Sequence, residues 1–269
     1  MIGTTVIIGL DSAWADKASG AVCALVVDAD GTGGFKPSEV VSFDQALAFI
    51  EAESSLCNTC LIAVDQPTIV PNETGCRPVD RVAASVISFI GGGVQPANRS
   101  RRGIFDDDAP FWRFKTRLGA KEDPEPSRIA ESGRFIMEVY PALALVTFNN
   151  TFFGRLRGPK YNPANKRKFR LEDWIAVVET VRRYAQHAGI TGIQEWANEI
   201  LRIPSPRKCD QDRLDAVICA LVGYQWRTAP RDKSLMIGDL ASGYMIAPSC
   251  SGTRERLKKA ATNHGVRCI

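Results

Sequence analysis

Thr5-Val6-Ile7-Ile8-Gly9-Leu10-Asp11 is a β-forming, mostly apolar run that closes on an acid. A short apolar run bounded by polar residues reads as a buried strand. Its terminal carboxylate then lies at the carboxyl edge of a sheet, where α/β proteins gather their chemistry. The pattern recurs at Leu61-Ile62-Ala63-Val64-Asp65. A third segment, Asp212-Arg213-Leu214-Asp215-Ala216-Val217-Ile218, has helical character, and its two acids, three residues apart, share one side of the helix beside the buried stripe. Carboxylates gathered at one edge repel unless protonated or bridged by cations. Oxygen ligands of this hardness select Mg²⁺ or Mn²⁺. Asp11, Asp65, Asp212 and Asp215 are therefore the expected metal ligands and catalytic residues, with Glu138, beside the end of another apolar run, a fifth catalytic acid. Taken singly, each has a plainer explanation: Asp212 as a helix N-terminal charge, Asp11 and Asp65 as turn residues, Glu138 as the partner of a basic side chain.

The 269 residues, 45% of them hydrophobic, suffice for one large core carrying insertions. No apolar run approaches the roughly 18 to 20 residues that cross a bilayer, and the N-terminal apolar stretch has no basic leader. The expectation is an unexported, cytoplasmic protein without a membrane partner, whose eight cysteines are reduced thiols. Cys57-Asn58-Thr59-Cys60 has the spacing of half a zinc site, with no second half to complete it. The only imidazoles are His187 and His264, one near the end of an amphipathic helix and one in a polar tail, which disfavours Ser-His-Asp and Cys-His chemistry.

A formal charge of +4 permits nucleic-acid binding without declaring it. Its distribution says more. Arg99, Arg101 and Arg102 form one basic run, and Lys160, Lys166, Arg167, Lys168 and Arg170 form another, interleaved with Tyr161 and Phe169. Such runs suit phosphate contact and base stacking; a solvated loop or helix start is the alternative for each.

Along the chain, residues 5–11 and 20–28 read as a hairpin joined by the turn Ser12 to Ser19, with a third strand between Phe35 and Ser42. A helix follows from Asp44, as N-cap, to Glu53, then the strand ending at Asp65. A second helix spans Val79 to Ile90 and ends at Gly91-Gly92-Gly93. Residues 94–126 read as an irregular insertion, a candidate lid. Phe135 to Tyr140 is a strand stopped by Pro141; Leu171 to Ala188, Ile193 to Leu201 and Gln211 to Trp226 are helices; beyond Pro230 no period of either kind is evident.

Gly9-Leu10-Asp11-Ser12-Ala13-Trp14, Ala63-Val64-Asp65-Gln66-Pro67, Arg77 with Asp80-Arg81, Met137-Glu138-Val139-Tyr140-Pro141 and Asp212-Arg213-Leu214-Asp215-Ala216, in that order, resemble the domain-of-unknown-function 429 family, predicted nucleases of the ribonuclease-H-like superfamily. The resemblance implies an α/β fold: a mixed five-stranded sheet flanked by helices, its first three strands antiparallel. Residues 1–230 would form this domain, with the irregular insertion at about 94–126, and 231–269 a C-terminal extension. It implies Asp11 and Asp65 as strand acids and Asp212 with Asp215 as acids of the last helix. The Gly91-Gly92-Gly93 segment and the Arg99 to Arg102 insertion depart from the family pattern, where substrate would be chosen. Arg77, Arg99, Arg101, Arg102, Lys166, Lys168 and Arg170 are the expected substrate-binding cations. The expected activity is divalent-metal-dependent hydrolysis of nucleic-acid phosphodiesters; DNA against RNA, and a homodimer, stay open. Two alternatives remain: a non-catalytic nucleic-acid or protein-binding module, and an ATP-dependent phosphotransferase, which the absence of glycine in Ser12-Ala13-Trp14 disfavours.

Overall fold

The computed structural model describes residues 4–14, 19–28 and 32–269, so residues 15–18 of the expected turn between the first two strands lie outside the described residues. Strands β1 (Thr5–Asp11), β2 (Gly20–Val27) and β3 (Gly33–Val41) form an antiparallel meander. Helix α1 (Phe43–Ser54) then returns the chain to β4 (Thr59–Asp65), which lies parallel to β1. The N-cap of α1 is Ser42, not Asp44: the Ser42 hydroxyl accepts from the Gln45 amide at 3.3 Å, and the Gln45 side chain accepts from the Ser42 amide at 2.9 Å. This reciprocal pair is a capping box, and Asp44 lies inside the first turn.

After β4 come α2 (Pro78–Ile87), α3 (Pro110–Leu118) and the single turn α4 (Pro124–Ser127). The insertion is thus less irregular than its composition implies. Phe111, Phe114 and Leu118 fall on one face of α3 and are buried against the sheet. Strand β5 (Gly133–Glu138) pairs parallel with β4, and Pro141 begins a helix, α5 (Pro141–Phe148). A proline at the first helical position lacks only an N–H that would be orphaned there anyway. Then follow α6 (Leu171–His187), a two-residue strand β6 (Ile190–Thr191), α7 (Ile193–Leu201) and the long α8 (Lys208–Thr228).

The main sheet has six strands, not five, in the order β5-β4-β1-β2-β3-β6; the extra strand is the short β6, parallel to the edge of β3. Side chains alternate between its faces. Ile7, Leu25, Leu61 and Met137 pack under α8, and Val6, Ile8, Leu10, Ile62 and Val64 pack under α1 and α3. The chain beyond Pro230 is also ordered into β7 (Ser234–Asp239), β8 (Gly243–Pro248) and α9 (Ser251–His264). The hairpin docks on the end of β5: Val139 bridges to Ile246, and the fully buried Tyr244 accepts from the Glu138 amide at 3.3 Å. Among the described residues no helix is long and apolar enough to cross a membrane.

Candidate active site

Pleat alternation and register place the two strand acids together. Asp11 and Asp65 are direct partners across the parallel β1–β4 pair, each at the last position of its strand. They lie in step with Ile7 and Leu61, on the α8 side. Helix α8 approaches β1 very closely. A Cβ built on Gly9 would stand 1.9 Å from the Ala216 carbonyl, and one built on Gly223 would stand 2.6 Å from an Ile7 methyl. The missing side chains let the helix backbone lie against the strand, which brings Asp212 and Asp215 over the edge where Asp11 and Asp65 end.

Asp11, Asp212 and Asp215 are buried. Burial is the main reason that the Asp11 carboxyl is held well above the usual carboxylate range, and the charges of Asp65 and Asp215 push it further. The Asp65 carboxyl is likewise raised, by burial and then by Asp215. Burial lifts Asp215 to about 6, against the pull of Lys208 and two hydrogen bonds. Those bonds fix its orientation: the Tyr161 hydroxyl donates to Oδ1 at 2.7 Å and the Gln211 amide to Oδ2 at 2.8 Å. Lys208, at the start of α8, hydrogen-bonds Asp212. Burial disfavours its charge, but Asp11, Asp212 and Asp215 outweigh that and raise its pKa. One tethered ammonium therefore serves four acids. No group of three or more His, Cys, Asp or Glu side chains among the described residues stands ready-made as a metal cage: Lys208 holds one oxygen of Asp212, and Tyr161 with Gln211 hold both of Asp215. The donor set nevertheless suits a hard cation, because carboxylates that repel one another gain most from a charge placed between them.

Glu138 borders the same cleft as Asp11, Asp65 and Asp215, and its charge helps to raise Asp65, but it is held by a different partner. Its register partner is Val64, so it is out of step with Asp65 and belongs to the opposite pleat. Its carboxylate takes two bonds from Arg77, at 2.6 and 2.8 Å, and one from the Thr68 amide. Arg77, expected among the substrate-binding cations, is fully buried, and its guanidinium also binds Asp80 and the Ile69 carbonyl. The structure places it as the clamp of Glu138 and Asp80, with no open cationic surface.

Two clefts meet at Asp65 and Asp215. One, about 530 Å³, is bordered by Lys160, Lys168 and Phe169 from the second basic run. The other, about 470 Å³, reaches Asp11 and Lys208 and is bordered by Trp14, Gln66 and Arg101. Of the remaining cations, Arg99 is turned to Asp107 and Glu73, while Arg102, Lys166 and Arg170 are exposed. The eight cysteines are unpaired. His187 bonds the Arg183 carbonyl of its own helix, and both histidines are exposed.

Lys208, Gln211, Tyr161 and Gln66 are site residues that the acid pattern alone does not reveal. Lys208 and Gln211 were legible as the positions four residues before Asp212 and Asp215, the spacing at which helical side chains meet. Gln66 directly follows a strand acid. Tyr161 gives no comparable signal, since its partner is 54 residues away.

Residues 9–234 match the model of a family described as a protein of unknown function, DUF429. No curated protein and no solved structure matches the chain.

Proposed function

The chain belongs to the DUF429 family, and from the acids at its sheet edge we propose that it is a divalent-metal-dependent nuclease of ribonuclease-H-like fold, working in the cytoplasm. The carrying observation is that Asp11, Asp65 and Asp215, from two adjacent strand ends and the helix laid across them, are under-neutralised: burial and mutual repulsion raise Asp11 and Asp65, and burial raises Asp215. The strand order β3-β2-β1-β4-β5, with an antiparallel first half, supports the superfamily reading.

Asp11, Asp65 and Asp215 would hold Mg²⁺ or Mn²⁺, and Asp212 would join them when Lys208 lets go. A bound ion of this kind supplies Lewis acidity and a water of lowered pKa. Tyr161 and Gln211 keep the Asp215 carboxylate aimed with one hydrogen bond to each oxygen, which leaves a lone pair on each for a cation. Lys160 and Lys168 offer charge to the phosphates flanking the scissile one. No imidazole is needed for the proton transfers.

The test is a panel of single-stranded, duplex, hybrid and junction substrates incubated with wild type and Asp11→Asn. Cleavage should vanish in EDTA, return with Mn²⁺ or Mg²⁺, and fall at least a hundredfold in Asp11→Asn, about 2.7 kcal/mol in barrier. Equal cutting by both proteins, or none by either, sinks the assignment. One observation favours a second reading, a binding module without catalysis: the Lys208 ammonium already partly neutralises the acids without any metal. Metal-independent binding of nucleic acid, with no cleavage, would support it.

A further inference from the structure

We propose that the cleft beside Asp11 receives an unpaired base of the substrate, so that the protein acts on single-stranded or locally opened nucleic acid. This rests on the nuclease reading and goes beyond it to the substrate class. The two clefts that meet at Asp65 and Asp215 differ in chemistry. The Lys160 and Lys168 side is cationic and runs past the glycine segment 91–93, and Lys160 is anchored to the Gly91 carbonyl at 2.7 Å. It suits a phosphate backbone. The other side is walled by Trp14, Ile104, Pro67, Val94 and Met245, and Arg101 and Gln66 are among its polar groups. It suits a flat, apolar ring with a polar edge.

Three features of that second wall point to a base. Trp14 is held at φ +61°, a conformation that a bulky residue rarely adopts, with its ring edge-on to Phe105 at a centroid distance of 5.7 Å. Half-buried, it lines the cleft as a fixed platform. Arg101 stands 5.8 Å from the centroid of the same Phe105 and is pinned by the Gln95 side chain at 3.1 Å and the Pro96 carbonyl at 3.2 Å. Gln66 is fully buried in the cleft wall, and both polar atoms of its amide lack a hydrogen-bond partner. A buried amide left unpaired is costly. It offers a donor beside an acceptor, the complement of the edge that every base presents. In a duplex that edge is paired and the ring stacked, so a base enters such a cleft only when it is out of the helix.

Binding to the 269-residue chain in EDTA, where a metal-dependent nuclease does not cut, tests this. The probes are a dye-labelled 12-nucleotide oligothymidylate and its oligouridylate counterpart, a 12-base-pair duplex, and a 12-mer of abasic phosphodiester. One or both single strands should bind at least tenfold more tightly than the duplex and the abasic strand. Trp14→Ala should lose about tenfold on the single strand with no change on the duplex, and Trp14→Phe should recover most of it. Gln66→Leu separates recognition from folding: single-strand affinity should fall severalfold while the melting temperature holds or rises, because the lost amide has no partner in the protein. A duplex or abasic strand bound as tightly as oligothymidylate and oligouridylate, or single-strand affinity unmoved by both Trp14→Ala and Gln66→Leu, overturns the inference and leaves the nuclease reading standing. No binding to any probe overturns both.

Discussion

The Arg77, Asp80 and Glu138 group and the Asp11, Asp65 and Asp215 group are both buried sets of carboxylates near the ends of neighbouring strands, yet they are balanced differently. In the first, one guanidinium, itself 0% exposed, bonds both acids, and its charged form is held more firmly than usual by them. In the second, the nearest cation is the Lys208 ammonium, on a side chain 52% exposed, bonded to the neighbouring Asp212. Acids that carry their own counter-charge hold a fold together. Acids without it store repulsion that an incoming cation can relieve, and the contrast between the groups is measurable.

The largest effect should come from the self-contained group. Arg77→Met leaves Asp80 and Glu138 buried and unpaired, and breaking a buried pair in this way costs about 3–5 kcal/mol. Urea unfolding should show that loss, and Mn²⁺ should not restore it. A loss below about 1 kcal/mol would erase the distinction between the two groups.

A middle-sized effect of opposite sign belongs to the strand acids. Asp11→Asn removes one repelling charge and should raise metal-free stability by roughly 1 kcal/mol, at the cost of function. It should also abolish most of the gain from Mn²⁺, which in wild type reaches about 2.7 kcal/mol at a hundredfold excess over Kd. The pH dependence follows the same logic. Unfolded carboxylates ionise near 4, whereas in the fold burial lifts Asp215 to about 6, and Asp11 and Asp65 are also raised. Between those values the folded chain holds protons that the unfolded chain has released. Metal-free stability should therefore fall as pH rises from about 4 through 6. Glu138, pushed by burial to about 7 against the pull of Arg77, adds a slope of the same sign. Calorimetry with and without Mn²⁺ separates the two contributions: the metal should flatten the strand-acid part and leave the Glu138 part. Equal Mn²⁺ stabilisation of wild type and Asp11→Asn would remove the metal site.

The smallest effect should be that of Lys208→Gln. Half-exposed and screened, the ammonium is worth about 0.5–1 kcal/mol to the metal-free fold. Its removal should tighten Mn²⁺ binding severalfold, read by isothermal titration, and Lys208→Arg should stay near wild type. Weaker Mn²⁺ binding in Lys208→Gln would mean that the lysine assists the ion and does not compete with it.

Much of this contrast was legible in the sequence and some was not. Asp11, Asp65, Asp212 and Asp215 announce themselves because a strand ending on an acid, and two acids three apart on a helix, are local patterns. Their gathering at one edge follows from parallel register. The placing of Glu138 on the other pleat from Asp65 hinges on a one-residue offset in strand parity, which no local pattern reports. The isolation of Arg77 depends on a partner 61 residues away. Helix α3 is hidden by its brevity within a Pro- and Asp-rich stretch, and α9 by its polarity, since only Thr253, Leu257, Ala260 and Ala261 are buried on it. The capping box at Ser42 was readable, because serine with glutamine three residues on is itself a helix-start signal.

The meeting of Gly9 with the Ala216 carbonyl makes the main chain the gauge of the site. Because helix and strand touch backbone to backbone, their separation is set by atoms that every residue type shares. At Gly9 the spacing between strand acids and helix acids is thereby fixed by main-chain atoms, and at Gly223 by the Ile7 methyl, 2.6 Å from where a Cβ would stand. A methyl group added at either would lift α8 and carry Asp212 and Asp215 away from Asp11 and Asp65 as one rigid piece. Residues that touch neither substrate nor ion thus fix the dimension on which both depend.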